Sequence, residues 1–174
     1  IGKNKFSKTI HKSYKYNIEL NGIKALKSII YGEKETKRHA WVMFATNRAD
    51  IIGVGGFPNT CKAQLSDQIL LYRMLLNKKL ICSTESEYFY LIDSSSYGNS
   101  DTESLVKGYE DSFYYWNKEI SPILQKLILT EEYTNIVKKM TVAFVRLYIL
   151  RVFLYGGNIF QKMMLIAKFK KKSW

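Results

Sequence analysis

The stretch that decides the fold is residues 41–73, which read WVMFATNRAD IIGVGGFPNT CKAQLSDQIL LYR. It contains two apolar segments separated by a glycine-rich turn. The first segment, at 40–46, is short and rich in strand formers, so it predicts a buried strand. Asn47 to Ile51 then predicts a short helical turn, and the glycines within residues 53–58 predict a loop.

The second apolar segment predicts a helix from Ser66 to about Asn77. Ser66 is a suitable N-cap, and Asp67 falls in the first turn, where a carboxylate complements the partial positive charge of the helix start. Apolar residues cover most of the circumference of this helix: Ile69, Leu70, Tyr72, Met74, Leu75 and Leu76. A helix of that kind belongs inside a protein, and we expect it to lie against a sheet.

The flanking sequence predicts an α/β chain. We expect a helix within Ser13–Tyr31, strands at Lys79–Cys82 and Tyr88–Ile92, a serine-rich loop from Asp93, and helices from Thr102 and after Thr130. The prediction is therefore a few central strands packed by helices, with a helical C-terminal region. We assign residues 1–120 to the first part and residues 121–174 to a helical, basic C-terminal extension.

The charge indicates either an anionic partner (nucleic acid, anionic lipid or a phosphorylated ligand) or simply a solubilising surface. The 174 residues contain 27 Lys and Arg against 15 Asp and Glu, a net charge of +12. Lysines concentrate at both ends of the chain. The aromatic fraction of 14% argues against a disordered chain. The two cysteines have no CxxC spacing, and neither His11 nor His39 has a partner at metal-binding spacing, so no metal site is predicted. These features fit a cytoplasmic protein.

The most apolar segment is Met140–Tyr155, followed by the lysine-rich C-terminus. A bilayer span needs about 20 apolar residues. Arg146 and Arg151 interrupt this segment, and their spacing puts them on different sides of a helix. We therefore expect a buried or interfacial helix, and its pairing with the lysines favours an anionic membrane surface.

The order of these motifs resembles the acceptor-side, C-terminal half of the family 2 glycosyltransferases, which have the GT-A fold. In that family a segment with Phe, Arg and then Gly-Gly-Phe precedes an acidic motif that opens a helix. The resemblance covers about residues 41–97, and the matching residues are Phe44, Arg48, Gly55, Gly56 and Phe57, then Ser66, Asp67, Leu70 and Arg73.

The resemblance implies that Asp67 is the catalytic base, taking a proton from the acceptor hydroxyl as a sugar is transferred with inversion. Such a base must be ionised and within roughly 2.6–3.2 Å of the hydroxyl. The residues alone leave open a second role, in which Asp67 only complements the helix dipole. The acceptor-binding residues implied by the resemblance are Trp41, Gly55, Gly56, Ser66 and Gln68.

Simpler roles remain open for several of these residues. Trp41 in a strand is also typical of a core residue, and Gly55-Gly56 of a plain turn. We expect the aromatic cluster to pack helices together rather than to line a sugar site; it consists of Phe113, Tyr114, Tyr115 and Trp116. Gln68 stands where many members of the family carry a second acidic residue. This difference leaves open a second interpretation, in which the chain is a non-catalytic scaffold.

The nucleotide-binding half of the family is missing. No two aspartates are separated by a single residue, so the chain lacks the DxD motif that holds a divalent metal (Mg or Mn) on the donor diphosphate. We therefore expect a fragment that is inactive alone, with a nucleotide-sugar donor and a saccharide or lipid-linked acceptor as partners of the complete enzyme. The alternative function is a basic nucleic-acid-binding or interaction domain, although no binding motif supports it.

Overall fold

The computed structural model describes residues 5–7, 18–32, 45–82, 90–92, 102–155 and 158–172. Within these ranges the chain is mostly helical, with four short strands. The strands are β1 (Lys5–Ser7), β2 (Ile18–Leu20), β3 (Leu80–Cys82) and β4 (Tyr90–Ile92). The helices are α1 (Gly22–Tyr31), α2 (Arg48–Gly53), α3 (Ser66–Leu75), α4 (Thr102–Tyr115), α5 (Ser121–Leu127), α6 (Thr130–Tyr155) and α7 (Ile159–Lys172), with a 3₁₀ turn at Cys61–Ala63 and a π-helical segment at Trp116–Ile120.

The described strands form two separate antiparallel pairs, β1 with β4 and β2 with β3. The predicted strands at 79–82 and 88–92 are found as β3 and β4, so the mixed α/β class holds. The helix predicted within Ser13–Tyr31 starts only at Gly22, because Ile18–Leu20 pairs with β3. The side chain of Asn21 accepts a hydrogen bond from the backbone N–H of Ile23 at 3.0 Å and so caps α1.

Helix α3 is buried on nearly all sides, as predicted, with eight of its ten residues buried. Its main described contacts are with the helices α1, α2 and α4 and the π-helical segment. The predicted strand that precedes it falls on residues 40–44, outside the described residues, so the expectation that α3 lies against a sheet stays a prediction. Gly22 allows the close approach of α1. A Cβ atom there would lie 1.9 Å from the carbonyl oxygen of Lys78 and 2.1 Å from that of Leu75.

One hydrophobic core runs through the described helices. Helix α6 contributes a buried stripe at every fourth residue: Ile136, Met140, Phe144, Tyr148 and Val152. This stripe faces α1 and α4, so α6 is buried along one side only, as expected of a buried or interfacial helix. The predicted division after residue 120 falls within a continuous helical stretch from Thr102 to Leu127.

Candidate functional site

The loop that leads into α3 has an unusual backbone. Lys62, Ala63 and Leu65 have positive φ angles of 51°, 52° and 56°, although none is glycine. Left-handed backbone costs a non-glycine residue about 1–3 kcal/mol and persists only where surrounding contacts impose it. Leu65 precedes the helix, so Ser66 is its first helical residue and the prediction of Ser66 as N-cap is wrong. The Ser66 hydroxyl instead donates to the carbonyl oxygen of Ala63 at 2.9 Å.

Helix α4 imposes this conformation through one face. The backbone N–H of Cys61 donates to Asp111 Oδ2 at 2.8 Å. The Ser112 hydroxyl lies 2.8 Å from the carbonyl oxygens of both Gln64 and Gly108. Gly108 lets the loop approach, because a Cβ atom there would lie 2.5 Å from Gln64 Cβ and 2.6 Å from the carbonyl oxygen of Cys61. The loop is thus held by hydrogen bonds with the side chains of Asp111 and Ser112 and by the close contact that Gly108 permits.

Asp67 lies in the first turn of α3 and is partly buried. Burial raises the pKa of its carboxyl above the ordinary value of 3.8, and hydrogen bonds from the backbone N–H groups of Gln68 and of Asp67 itself partly oppose the rise. Oδ1 accepts the Gln68 N–H at 2.9 Å. Burial therefore outweighs the stabilisation of the ionised form that we expected from the helix start. A higher pKa makes this carboxylate a stronger proton acceptor.

Tyr72, one turn further along α3, is also buried. Its pKa is raised, first by burial and second by the negative charge of Asp67. The phenol therefore stays protonated at neutral pH.

The glycine-rich turn is joined to α3 by Arg73. Gly55 and Gly56 have φ angles of 86° and 71°, which confirms a turn that favours glycine. Arg73 Nη1 donates to the carbonyl oxygen of Gly56 at 2.7 Å, and its Nε donates to Glu119 Oε2 at 2.8 Å. The guanidinium carbon lies 5.4 Å from the centre of the Tyr115 ring. Arg73 thus connects the turn, the buried helix and the π-helical segment.

An open depression of about 550 Å³ lies against the loop, lined by Phe57, Pro58, Asn59, Thr60, Lys62, Ala63 and Ser66. Thr60 is only 5% exposed, and its hydroxyl has no hydrogen-bond partner among the described residues. Phe57, by contrast, is 60% exposed. An exposed aromatic ring in an open depression suits a ligand with an apolar face, as a sugar ring has.

The predicted site residues are only partly brought together. Ser66 lines the depression, and Asp67 follows it directly in α3. Gln68 is buried, and Gly55 and Gly56 lie at the turn that Arg73 holds; none of the three is among the described lining residues. Residues 40–44 of the strand predicted at 40–46, which include Trp41, lie outside the described residues, as do His11 and His39. Residues 45 and 46 are described and are not in a strand.

Sequence reasoning missed the residues that fix the loop. Gly108, Asp111 and Ser112 are spaced i, i+3 and i+4 within a predicted helix, which puts them on one face. A glycine, an acid and a hydroxyl sharing a helix face indicate close contact with backbone, so this pattern could have been recognised. Thr60 carries no comparable signal, since its missing partner depends on the folded loop.

The aromatic cluster mainly packs helices, as we favoured. The Phe113 ring lies 5.3 Å from that of Phe144, and the Trp116 ring lies 5.7 Å from that of Tyr72, both edge-on. Tyr115 lies under Arg73, whereas Tyr114 is exposed. Phe113, Tyr115 and Trp116 therefore pack against the core as expected, and Tyr114 does not.

Neither a metal-binding cluster nor a membrane-spanning helix is found in the described part of the chain. No group of three or more His, Cys, Asp or Glu residues within the described ranges could hold a metal ion. The divalent metal expected for the complete enzyme stays a prediction. None of the helices, over the residues described, is both long and apolar enough to cross a membrane.

Comparison with known proteins returned no match from protein-family models, from curated proteins or from solved structures.

Proposed function

We propose that this chain is the acceptor-side part of an inverting glycosyltransferase with a GT-A-like catalytic domain, acting in cell-surface polysaccharide synthesis. One observation supports the proposal most strongly. The first turn of a buried helix carries a partly buried carboxylate, Asp67, directly after a residue that lines an open depression. That depression also has an exposed aromatic ring, Phe57.

In this proposal the acceptor sugar lies over the exposed ring of Phe57. Asp67 takes the proton from the attacking acceptor hydroxyl. The acceptor oxygen forms a bond to the anomeric carbon of the donor while the bond from that carbon to the diphosphate breaks. The nucleoside diphosphate leaves with the bonding electrons, and the configuration at the anomeric carbon inverts.

The strained loop serves to position these groups. Its left-handed residues at 62, 63 and 65 set the direction in which the chain joins α3, and Asp111 and Ser112 prevent it from relaxing. Backbone strain that is held by surrounding contacts is typical of functional sites. A site held in this way loses little conformational entropy when an acceptor binds.

We do not propose that this chain itself binds the nucleotide-sugar donor. The nucleotide-binding half, with its DxD motif and divalent metal, must come from the rest of a longer protein or from a partner chain. We place the reaction in the cytoplasm, at the inner face of the cell membrane. The isolated 174-residue chain should therefore bind acceptor saccharides without transferring sugar.

The test has two parts. In the complete enzyme, with a panel of nucleotide-sugars as donors, Asp67→Asn should lower transfer by about 10²–10⁴-fold and leave donor binding unchanged. In the isolated chain, Phe57→Ala should weaken binding of an oligosaccharide panel, measured by calorimetry, by up to about tenfold. Phe57→Ala should change stability little, because the Phe57 side chain is 60% exposed.

Asp50→Asn is the matched control. Asp50 is a partly exposed aspartate of α2 that pairs with Lys78 at 2.6 Å, away from the depression. Its replacement should leave transfer unchanged. Full transfer by the Asp67→Asn enzyme would exclude Asp67 as the base, and sugar transfer by the isolated chain would exclude the half-enzyme.

A further inference from the structure

The charge of the chain is distributed unevenly along the sequence. Residues 133–174 contain none of the 15 Asp and Glu but nine of the 27 Lys and Arg. These nine are Lys138, Lys139, Arg146, Arg151, Lys162, Lys168, Lys170, Lys171 and Lys172. A segment of 42 residues without a single acid, which forms α6 and α7 over most of its length, is a strong attractant for anions.

The same two helices expose large apolar side chains. On α7, Ile159 is 78% exposed and Phe160 is 69% exposed. Met163 and Met164, one turn later, continue this apolar side of the helix. On α6, exposed apolar residues lie on the side away from the buried stripe: Val142, Leu150 and Phe153. Clustered exposure of this kind marks an interaction surface, since single scattered apolar residues are the ordinary case.

The two helices contact each other. The Lys162 ammonium lies 5.9 Å from the centre of the Phe153 ring, which joins the start of α7 to the end of α6. Asn158 and Gln161 form a reciprocal capping box: Asn158 Oδ1 accepts the Gln161 N–H at 3.0 Å, and Gln161 Oε1 accepts the Asn158 N–H at 3.1 Å. The start of α7 is therefore defined by its own residues.

We infer that α7 and the last turns of α6 form a docking surface for an anionic lipid bilayer. The helices would lie in the plane of the interface, with apolar side chains among the upper acyl chains and lysines among the headgroups. The 14 residues of α7 span about 21 Å, less than the roughly 30 Å of a bilayer core. Helix α6 is longer, but its buried stripe commits one side to the protein core.

Charge complementarity selects lipid over the other occupants. A second copy of the chain would bring two acid-free surfaces together, and their like charges would repel. Nucleic acid would satisfy the lysines, but exposed Ile159, Phe160 and Met163 would gain little from phosphates. A bilayer with anionic headgroups satisfies the charges and the apolar side chains together.

The test is vesicle co-sedimentation of the chain. Vesicles with equal parts of phosphatidylcholine and phosphatidylglycerol should bind it, whereas phosphatidylcholine alone should bind it at least about tenfold more weakly. The double substitution Ile159→Gln and Phe160→Gln should weaken binding by at least about tenfold, because two apolar anchors are lost. Both residues are exposed, so the substitutions leave the core intact, and circular dichroism verifies the fold.

The matched control is Ile52→Gln. Ile52 is an apolar residue of α2 that is 64% exposed, outside this surface, and its replacement should leave vesicle binding unchanged. Equal binding to both vesicle types, or equal loss for the control and the double variant, would overturn the inference. So would concentration-dependent dimerisation, or preferential binding to duplex DNA, when either depends on Ile159 and Phe160. The inference does not rest on the proposed transferase, because the assay requires neither donor nor acceptor.

Discussion

Gly108→Ala is the sharpest test of how α4 holds the loop beside the depression. The added Cβ would lie 2.5 Å from Gln64 Cβ, 2.6 Å from the carbonyl oxygen of Cys61 and 2.8 Å from Gln64 Cγ. All three distances are shorter than van der Waals contact, and one of the atoms belongs to the backbone. The loop and α4 must therefore move apart by several tenths of an ångström, and no rotamer change can avoid this.

The magnitude follows from two opposing effects. Overpacking a close contact costs about 1–3 kcal/mol. Replacing glycine by alanine within a helix stabilises it by about 1 kcal/mol. The expected net loss in the free energy of unfolding is therefore about 0–2 kcal/mol. The hydrogen bonds from Cys61 to Asp111 and from Ser112 to Gln64, both at 2.8 Å, lie beside the contact and should lengthen.

The assay combines urea denaturation with calorimetric binding of the oligosaccharide panel. Gly108→Ala should weaken saccharide binding more than its small effect on stability suggests, because the loop that lines the depression moves. Gly53→Ala is the control: its Cβ would have no atom within 4 Å, so stability should be unchanged or slightly raised. A Gly108→Ala protein as stable as Gly53→Ala, with unchanged saccharide binding, would refute the role assigned to this contact.

Three further substitutions test charged residues in and near the site. Burial raises the pKa of Asp67, so the native state holds more protons than the unfolded state between the ordinary value of 3.8 and the raised value. The contribution of Asp67 to the stability of the wild type should therefore fall as pH rises through that window. The free energy of unfolding of Asp67→Asn, relative to that of the wild type, should rise through the same window and then level off. Urea denaturation across pH measures both. Arg73→Lys keeps the charge but loses the planar fork that binds Gly56 and Glu119, so it should lower stability by about 1–3 kcal/mol. Lys78→Gln breaks the more exposed ion pair with Asp50, so it should change stability by less than about 1 kcal/mol. Equal losses for Arg73→Lys and Lys78→Gln would contradict the argument that the more buried ion pair contributes more.

The sequence predicted the parts of the fold that follow from local pattern. Apolar residues over most of its circumference identified α3 as buried, and short apolar runs identified β3 and β4. The strand β2 was missed because Ile18–Leu20 pairs with Leu80–Cys82, about sixty residues away, and that pairing overrides the helical spacing of the apolar residues. Long-range pairing of this kind leaves little trace in a local window.

The site was less predictable than the helices that support it. Asp67 and Ser66 were identified through the motif at the start of α3, but the backbone that precedes them was not. Leu65 adopts a left-handed conformation only because α4 holds the loop, and no propensity of leucine indicates it. The hydroxyl of Thr60 is likewise unpaired only in the folded loop.

The burial of the first turn of α3 bears on Gln68, the residue at which this chain would depart from the pattern of the proposed transferase family. Gln68 is 6% exposed and directly follows Asp67, whose pKa is already raised by burial. A second carboxylate at position 68 would have to be buried beside the first, and like charges that share a site raise the pKa of at least one of them strongly. An amide at position 68 avoids that repulsion and leaves Asp67 as the one acidic side chain in this turn. The glutamine is therefore compatible with a single-base mechanism, because this buried environment would favour ionisation of only one carboxyl.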